Sequence, residues 1–164
     1  MSRALVDQLV YLMDDAFENS RVHSLIVNLS TVTEDDWSWR PAEEGRSIAE
    51  IAMHVASAKQ VYNSQAFGDK SIHWEQVRPM VQLHNATLAD GIAWLREGHA
   101  LLRNNLAALD DNGLMEQRGV HWGGTLDTRG ILTIMLQHDI YHAGEINHLR
   151  SVIQGTDHWP GRRT

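Results

Sequence analysis

The segment from Gln137 to Ile153, QHDIYHAGEINHLRSVI, constrains the fold of this chain more than any other. In this segment and just before it, apolar residues and histidines recur at alternating steps of three and four residues, the period of one face of an α-helix. That face comprises Ile131, Met135, His138, His142, Glu145, Leu149 and Val152. Because most of these side chains are apolar, the pattern predicts a helix that turns this face toward the interior.

Two histidines occupy the centre of the predicted face. His138 and His142 are about one helical turn (~6 Å of rise) apart, so they can chelate one cation. A cation that accepts a nitrogen from each ring would offset most of the cost, roughly a few kcal/mol, of burying two unpaired imidazoles. The chain contains 10 histidines, however, so a pair at this spacing can arise by chance, and two core or surface histidines are the alternative.

The composition narrows the class of protein. A length of 164 residues predicts one domain, residues 1–164, with an irregular tail from about residue 156. The absence of cysteine excludes disulfides, thiolate metal sites and a cysteine nucleophile, and it is compatible with a reducing cytoplasm. The formal net charge of -7, without a basic stripe, argues against nucleic-acid binding. No signal peptide and no apolar run of about 18 residues is found, so we expect a soluble, cytoplasmic protein.

Four amphipathic helices are predicted, two of them in the first half of the chain. The first covers residues 3–29, and its inward positions are Leu5, Leu9, Leu12, Ala16, His23 and Ile26. The second begins after a capping box formed by Ser47 and Glu50 and runs to about Phe67.

The other two helices lie in the second half. The third follows the cap residue Thr87, and its inward positions are Leu88, Ile92, Leu95, His99, Leu102, Leu106 and Leu109. The fourth begins near Asp127 or Thr128 and ends at Gly155.

Long connections join these helices. Residues 30–46 contain Trp37 and Trp39, which we expect to anchor the edge of the core. Residues 68–86 are predicted to be irregular or to contain a short helix broken by a proline. Residues 110–127 form a Gly- and Asp-rich connection without a convincing strand pattern. The predicted fold class is all-α, a four-helix bundle with long crossover connections.

Further histidines lie on the predicted inner faces. The inward face of the second helix consists of Ile51, His54, Ala58 and Val61. His54 is therefore the candidate third ligand beside His138 and His142, because metal sites in helical bundles are built from inward side chains of facing helices. For His23 and His99 we expect hydrogen-bonded packing roles; the alternative is that either replaces one of these ligands or faces a substrate.

Two motifs resemble the DinB/YfiT-like metalloenzymes, the DinB superfamily. The N-terminal motif is W-x-W-R-P at residues 37–41, followed by GRSI at residues 45–48 and by the second helix. The C-terminal motif is H-D-x-Y-H-A-G-E-I-x-x-L-R, at residues 138–150. The resemblance implies a four-helix bundle of crossover topology, often a homodimer, in which one histidine of the second helix and two of the fourth hold a divalent metal ion. The matching residues are His54, His138 and His142.

The resemblance also implies a range of functions. Relatives include S-transferases that use low-molecular-weight thiols such as bacillithiol, and a mycothiol-dependent maleylpyruvate isomerase in which one ligand position is glutamate. Histidine at all three positions resembles the transferase branch more. The resemblance thus implies a metal-dependent transferase or hydrolase that acts on a small molecule, with zinc, nickel or iron as the metal and a low-molecular-weight thiol as cosubstrate. It implies nothing about DNA, and we expect neither a nucleic-acid nor a membrane partner.

Several residues of the fourth helix are candidates for further roles. Three neutral imidazoles leave positions of a divalent ion open for water, a thiol or a substrate, as in catalytic sites. Glu145, one turn beyond His142, could be a fourth ligand, a base or a hydrogen-bond partner of a ligand ring. Asp139 points about 100° away from the preceding histidine, so we expect a cap or surface role. For Tyr141 and Arg150, contacts with a substrate or second subunit and ordinary structural roles are both open.

Two other classes of protein remain. One is a non-catalytic, metal-binding or stress-related helical dimer, whose histidines pack in the core or bind metal opportunistically. The other is a di-iron oxygen-binding bundle. It is disfavoured because such sites need paired carboxylate-and-histidine motifs on two helices, and only the fourth helix offers a comparable motif.

Overall fold

The computed structural model describes residues 2–156 and residue 158, and this part of the chain is mainly helical. Its α-helices are α1 (Ala4–Asp14), α2 (Leu25–Leu29), α3 (Glu34–Ser38), α4 (Ile48–Phe67), α5 (Arg78–Val81), α6 (Leu88–Ala107) and α7 (Thr128–Gln154). Two short strands, β1 (Gln117–Gly119) and β2 (Thr125–Asp127), pair antiparallel with Arg118 opposite Leu126. Within these residues no helix combines the length and the apolarity that a membrane span requires.

The three long helices begin and end where local signals place them. α4 starts with the predicted capping box of Ser47 and Glu50, and α6 starts with an equivalent box at Thr87. α7 follows Asp127, whose side chain accepts a hydrogen bond from a backbone N–H in the first turn. It ends at Gly155, where a φ of 63° lies in the left-handed region that glycine adopts without strain. The predicted starts of these helices and the predicted ends of α4 and α7 are confirmed, whereas α6 ends at Ala107, before the predicted inward position Leu109.

The first segment differs from the prediction of one helix over residues 3–29. α1 ends at Asp14, a π-helical turn covers Asp15–Asn19, and the backbone becomes extended at Ser20. The Ser20 hydroxyl accepts a hydrogen bond from the backbone N–H of His23, and Ser24 caps α2. These serine side chains compete for backbone groups that a continuous helix would use, so the helix breaks between α1 and α2.

The inward positions of α1 are also shifted by one residue from the prediction. Val6 and Met13 are buried, whereas Leu5 is 59% exposed and Leu12 lies at the surface. His23 lies exposed in the turn before α2 rather than on an inner face. The prediction of inward Leu5, Leu12 and His23 is therefore wrong. Within α1 the predicted face is off by one residue, and for His23 the prediction extended one helical period across the break.

The connection between α2 and α4 is partly helical. Thr33 caps α3 by accepting a hydrogen bond from the backbone N–H of Asp36. Trp37 is 3% exposed, and its indole N–H donates to the carbonyl of Ala86 at 3.0 Å. Trp39 is exposed. The prediction of a buried anchor is therefore confirmed for Trp37 and wrong for Trp39.

The remaining connections contain more structure than the sequence pattern predicts. Pro79 lies in the first turn of α5, where its missing N–H would have no helical partner, so it starts a helix instead of breaking one. The pattern predicts neither β1 nor β2, because three residues are too few for a recognisable alternation. Of the irregular tail predicted from about residue 156, only Thr156 and His158 are described, and the rest lies outside the described residues.

α4 lies at the centre of the helical packing. It packs against α6 and α7, while α1 contacts α6 and α2 contacts α7. Every side chain from residue 55 to residue 62 is buried, including Ala58 and Val61 as predicted. α6 approaches α4 closely at Gly98, where a Cβ atom would lie 2.8 Å from Cβ of Lys59. A glycine at this position therefore permits the close contact of the two helices.

The inner face of α7 follows the true helical period. Ile131, Met135 and Leu149 are buried as predicted, whereas Val152 is 52% exposed. The neighbouring Ile153 packs against the core in its place. Strict steps of three and four drift relative to 3.6 residues per turn, so the predicted inward position is wrong by one residue in the last turn.

A buried ion pair joins α4 to α7. Nζ of Lys59 lies 2.6 Å from Oδ2 of Asp139, and the two side chains are 1% and 3% exposed. The ammonium group also lies 5.2 Å from the centre of the Phe17 ring. The prediction of a cap or surface role for Asp139 is therefore wrong, because Lys59 reaches it from α4 within the core.

Removal of one member of this pair is expected to destabilise the fold strongly. Lys59→Met leaves the Asp139 carboxylate buried without its partner, which costs about 3–5 kcal/mol. The double variant Lys59→Met/Asp139→Leu removes both charges and should recover most of that loss. Urea unfolding of the metal-free variants gives both free energies. A loss below about 1 kcal/mol for Lys59→Met would contradict the burial of the pair.

Candidate metal centre

Three histidines from two helices come together. His54 projects from α4, and His138 and His142 project from successive turns of α7. Their ring centroids are 4.4 to 5.1 Å apart, and one nitrogen of each ring lies within 4.8 Å of the other two. Among the described residues, no other three histidines or carboxylates are grouped in this way. The structure thus assembles the three predicted residues, and neither His23 nor His99 replaces any of them.

His54 and His138 face each other through their Nε2 atoms, which are 3.0 Å apart. Two imidazole nitrogens bound tetrahedrally to zinc at about 2.0–2.1 Å would be about 3.3 Å apart. The two rings therefore already have nearly the separation of two ligands on one ion. His142 is 4% exposed, whereas His54 and His138 are partly exposed, so the cluster has a buried side and a side that exogenous groups can reach.

Burial keeps the imidazoles of His54 and His138 neutral. Desolvation, and then the charges of neighbouring groups such as His142, lower the pKa of His138 to about 3. Desolvation also lowers the pKa of His54 below its ordinary value, and His142 and Arg46 act in the same direction. Neutral imidazole is the form that binds metal ions, so both rings are in the ligating state at neutral pH.

Glu145 orients one of the three rings. The Nδ1–H group of His142 donates to Oε2 of Glu145 at 2.8 Å, and Arg46 contacts Oε1 of the same carboxylate at 2.6 Å. A histidine whose Nδ1 is held in this way offers Nε2 to a metal ion. Of the three roles predicted for Glu145, the structure favours that of hydrogen-bond partner to a ligand ring.

The donor set fits a divalent transition-metal ion. All three side chains are imidazoles, which suit zinc, nickel and iron. Two of the nitrogens are spaced almost as ligands, two of the rings are kept neutral by burial, and the third ring is oriented by a carboxylate. A site with three protein ligands leaves positions for water or a substrate.

Aromatic rings border the three histidines. Trp74 stacks on His54, with 5.4 Å between ring centroids and an interplanar angle of 13°. Tyr141 lies edge-on to His142 at 5.0 Å and is 68% exposed. The sequence reasoning did not single out Trp74, because it lies in an irregular connection that has no period. The available signal was the tryptophan itself, since large aromatic side chains in long loops often contribute to binding.

Two other candidate residues have structural roles. His99 is buried, its Nε2 lies 3.0 Å from Oδ1 of Asp14, and its ring stacks on Phe17 at 3.9 Å. The predicted packing role of His99 is confirmed. Arg150 is 1% exposed and donates hydrogen bonds to Asn147 and Gln154 on its own helix, so the structural alternative holds for it.

A family model and two solved structures are similar to this chain. The sequence model of the DinB superfamily matches residues 16–146, which include all three histidines. The crystal structure of a protein attributed to the DinB family from Exiguobacterium sibiricum has a TM-score of 0.60 and 18% identity, over 92% of this chain and 90% of that chain. That of a DinB-like protein from Bacillus subtilis has a TM-score of 0.55 and 15% identity, over 90% and 92%. These identities establish likeness of fold alone, and no curated protein matches the chain significantly in sequence.

His99 is expected to make the protein less stable in mild acid. Burial lowers its folded pKa below the ordinary value of 6.5, and the Lys59 charge acts in the same direction against the opposing effect of Asp14. As the pH falls through about 6.5, the unfolded chain takes up a proton at His99 and the folded protein does not, so the free energy of unfolding decreases. In His99→Gln, the free energy of unfolding should therefore decrease less steeply between about pH 7 and pH 5, as measured by urea unfolding. An unchanged slope would show that His99 is not held neutral.

Proposed function

Because the chain belongs to the DinB superfamily, we propose that it is an enzyme that acts on small molecules through a divalent metal ion held by its three-histidine cluster. The proposed reaction is the transfer of a low-molecular-weight thiol to a small electrophile, that is, S-transferase activity. The observation that carries the proposal is the convergence of His54, His138 and His142. They offer three imidazole ligands and leave coordination positions for exogenous groups.

An exogenous thiol is favoured as the nucleophile because the chain has no cysteine. When bound, a zinc, nickel or iron ion supplies Lewis-acid chemistry that lowers the pKa of a thiol or water toward neutrality. In the transfer, the thiolate sulfur bonds to an electrophilic carbon, the leaving group departs with the bonding electron pair, and the thiol proton passes to solvent. Hydrolysis is the equivalent reaction with water in place of the thiol.

Glu145 and Arg46 support this reaction without acting on the substrate carbon. Glu145 holds His142 by its Nδ1, so it is a positioning residue for one ligand. Arg46 pairs with Glu145, and its side chain is 46% exposed. Because the charges of Arg46 and Glu145 largely offset each other, we assign Arg46 the role of holding Glu145 against His142.

We further propose a cytoplasmic homodimer built on a four-helix bundle with crossover connections. α4, α6 and α7 supply three helices, and the helical pieces of residues 4–29 supply the fourth. The homodimer follows from the family resemblance. The cytoplasmic location suits a reaction that requires a reduced thiol.

Loss of a ligand is expected to abolish thiol transfer. Metal-loaded protein is incubated at about pH 8 with a panel of low-molecular-weight thiols and a small electrophile, and conjugates are quantified by mass spectrometry. His138→Ala should reduce the rate by more than about 100-fold, and Glu145→Gln by about 10- to 100-fold. His99→Gln, which changes a buried histidine outside the cluster, should retain activity.

Two results would contradict the proposed reaction. The first is equal conjugation by the wild type and by His138→Ala. The second is a wild type that binds its metal ion but accepts no thiol, which would favour the non-catalytic, metal-binding dimer.

A further inference from the structure

We propose that an aromatic cluster next to the three histidines binds an aryl group of the substrate. The aromatic cluster consists of Tyr62, Trp74, His121 and Trp122. The inference rests on the proposed function, because it names the class of molecule that the metal-dependent site would accept. That class is an aryl group joined by a short linkage to an oxygen or sulfur donor.

Trp74 connects the aromatic cluster to the candidate ligands. Its ring is nearly parallel to that of His54, at an angle of 13° and a centroid distance of 5.4 Å, which is an offset-stacked arrangement. Trp74 is also partly exposed. A molecule bound at the three histidines therefore lies next to an indole ring.

Contacts within the aromatic cluster fix the orientations of its rings. The indole N–H of Trp74 donates to Nδ1 of His121 at 3.2 Å. His121 lies edge-to-face with Trp122 at 4.8 Å and with Tyr62 at 5.2 Å. Tyr62 is 8% exposed on α4, whereas His121 and Trp122 lie between β1 and β2. Three separate segments of the chain thus build one aromatic surface, which is pre-organised before a ligand arrives.

The surface of the aromatic cluster is uncovered. Trp122 is 55% exposed, and an indole ring in that position gains apolar burial only when another group covers it. Tyr141, 68% exposed, places a further ring beside His142. Trp74 and Tyr141 therefore contact the histidines directly, and the hairpin rings extend the aromatic surface from Trp74 through His121 to Trp122.

The charges around the site select an aryl group with an anionic or polar end. No member of the aromatic cluster is acidic, and a divalent ion held by the three histidines would repel a cationic ligand. An oxygen or sulfur donor suits the ion, and an aromatic ring stacks on the exposed indoles. An aliphatic group would gain burial there but not the stacking.

Two hydroxamates that share a metal-binding group test this inference. Acetohydroxamate carries a methyl group, and benzohydroxamate carries a phenyl ring. In zinc-loaded wild-type protein, isothermal titration calorimetry is expected to show benzohydroxamate binding about 10-fold more tightly. In Trp122→Ala and in Trp74→Leu, the Kd of benzohydroxamate should rise about 5- to 10-fold, while that of acetohydroxamate stays within about 2-fold.

Matched variants separate the aryl site from general effects on the fold. Trp122→Phe retains a ring and should keep most of the preference for benzohydroxamate. Tyr11→Ala removes a ring that is 61% exposed on α1 and should change neither Kd. The zinc content and the circular dichroism spectrum of each variant show whether the fold and the metal site persist.

The unfavourable outcomes are distinguishable. If Trp122→Ala and Trp74→Leu leave benzohydroxamate binding unchanged, or weaken both hydroxamates equally, the aryl site is wrong and the metal site stands. If zinc-loaded wild-type protein binds neither hydroxamate, the proposed function is wrong, and the aryl site, which rests on it, is wrong as well.

Discussion

The packing of α4 against α7 determines the geometry of the site. The buried ion pair of Lys59 and Asp139 and the close approach of His54 and His138 both lie at this contact. Two charges removed from water are tolerated only while they are paired, so we infer that the ion pair fixes the register of the two helices. Gly98 allows α6 to approach Lys59 from its own side. The register that pairs Lys59 with Asp139 is thus the one that brings His54 to His138.

Burial and metal chemistry act on the same atoms at this contact. Burial disfavours the imidazolium form of His138, so this residue is a weak base whose ring nitrogens remain available to a metal ion at neutral pH. The orientation of His142 has a different cause. Its Nδ1–H donates a hydrogen bond to the partly exposed Glu145, and Arg46 forms an ion pair with Glu145. The buried ring of His142 and the partly exposed rings of His54 and His138 therefore give the cluster one side that is shielded from water and one side that borders solvent and Trp74. Such an asymmetric site can bind an ion and still admit an exogenous ligand.

Local signals predict much of this fold, and tertiary contacts account for the rest. Capping residues such as Ser47 and terminators such as Gly155 act on neighbouring backbone groups, so the starts of α4, α6 and α7 and the ends of α4 and α7 could be predicted from the sequence. The helical period placed His54, His138 and His142 on inner faces of facing helices, and the family resemblance implied the same three residues. The period placed His23 wrongly, because the helix breaks before it. Asp139 resembled a surface residue because its partner is 80 positions away in the chain. Trp74 and Trp122 lie in connections without a period, so only the folded structure shows that Trp74 adjoins His54 and that Trp122 is linked to Trp74 through His121.

A measurement of metal content tests most directly whether His54, His138 and His142 bind one ion together. Protein without an affinity tag is loaded with zinc, freed of excess zinc by desalting and subjected to elemental analysis beside a His54→Ala/His142→Ala variant. We expect about one zinc ion per chain in the wild type, a large loss in the variant, and a zinc-dependent rise in melting temperature in the wild type alone. A wild type that retains no zinc, or a variant that retains as much as the wild type, would show that the three histidines are not a metal site.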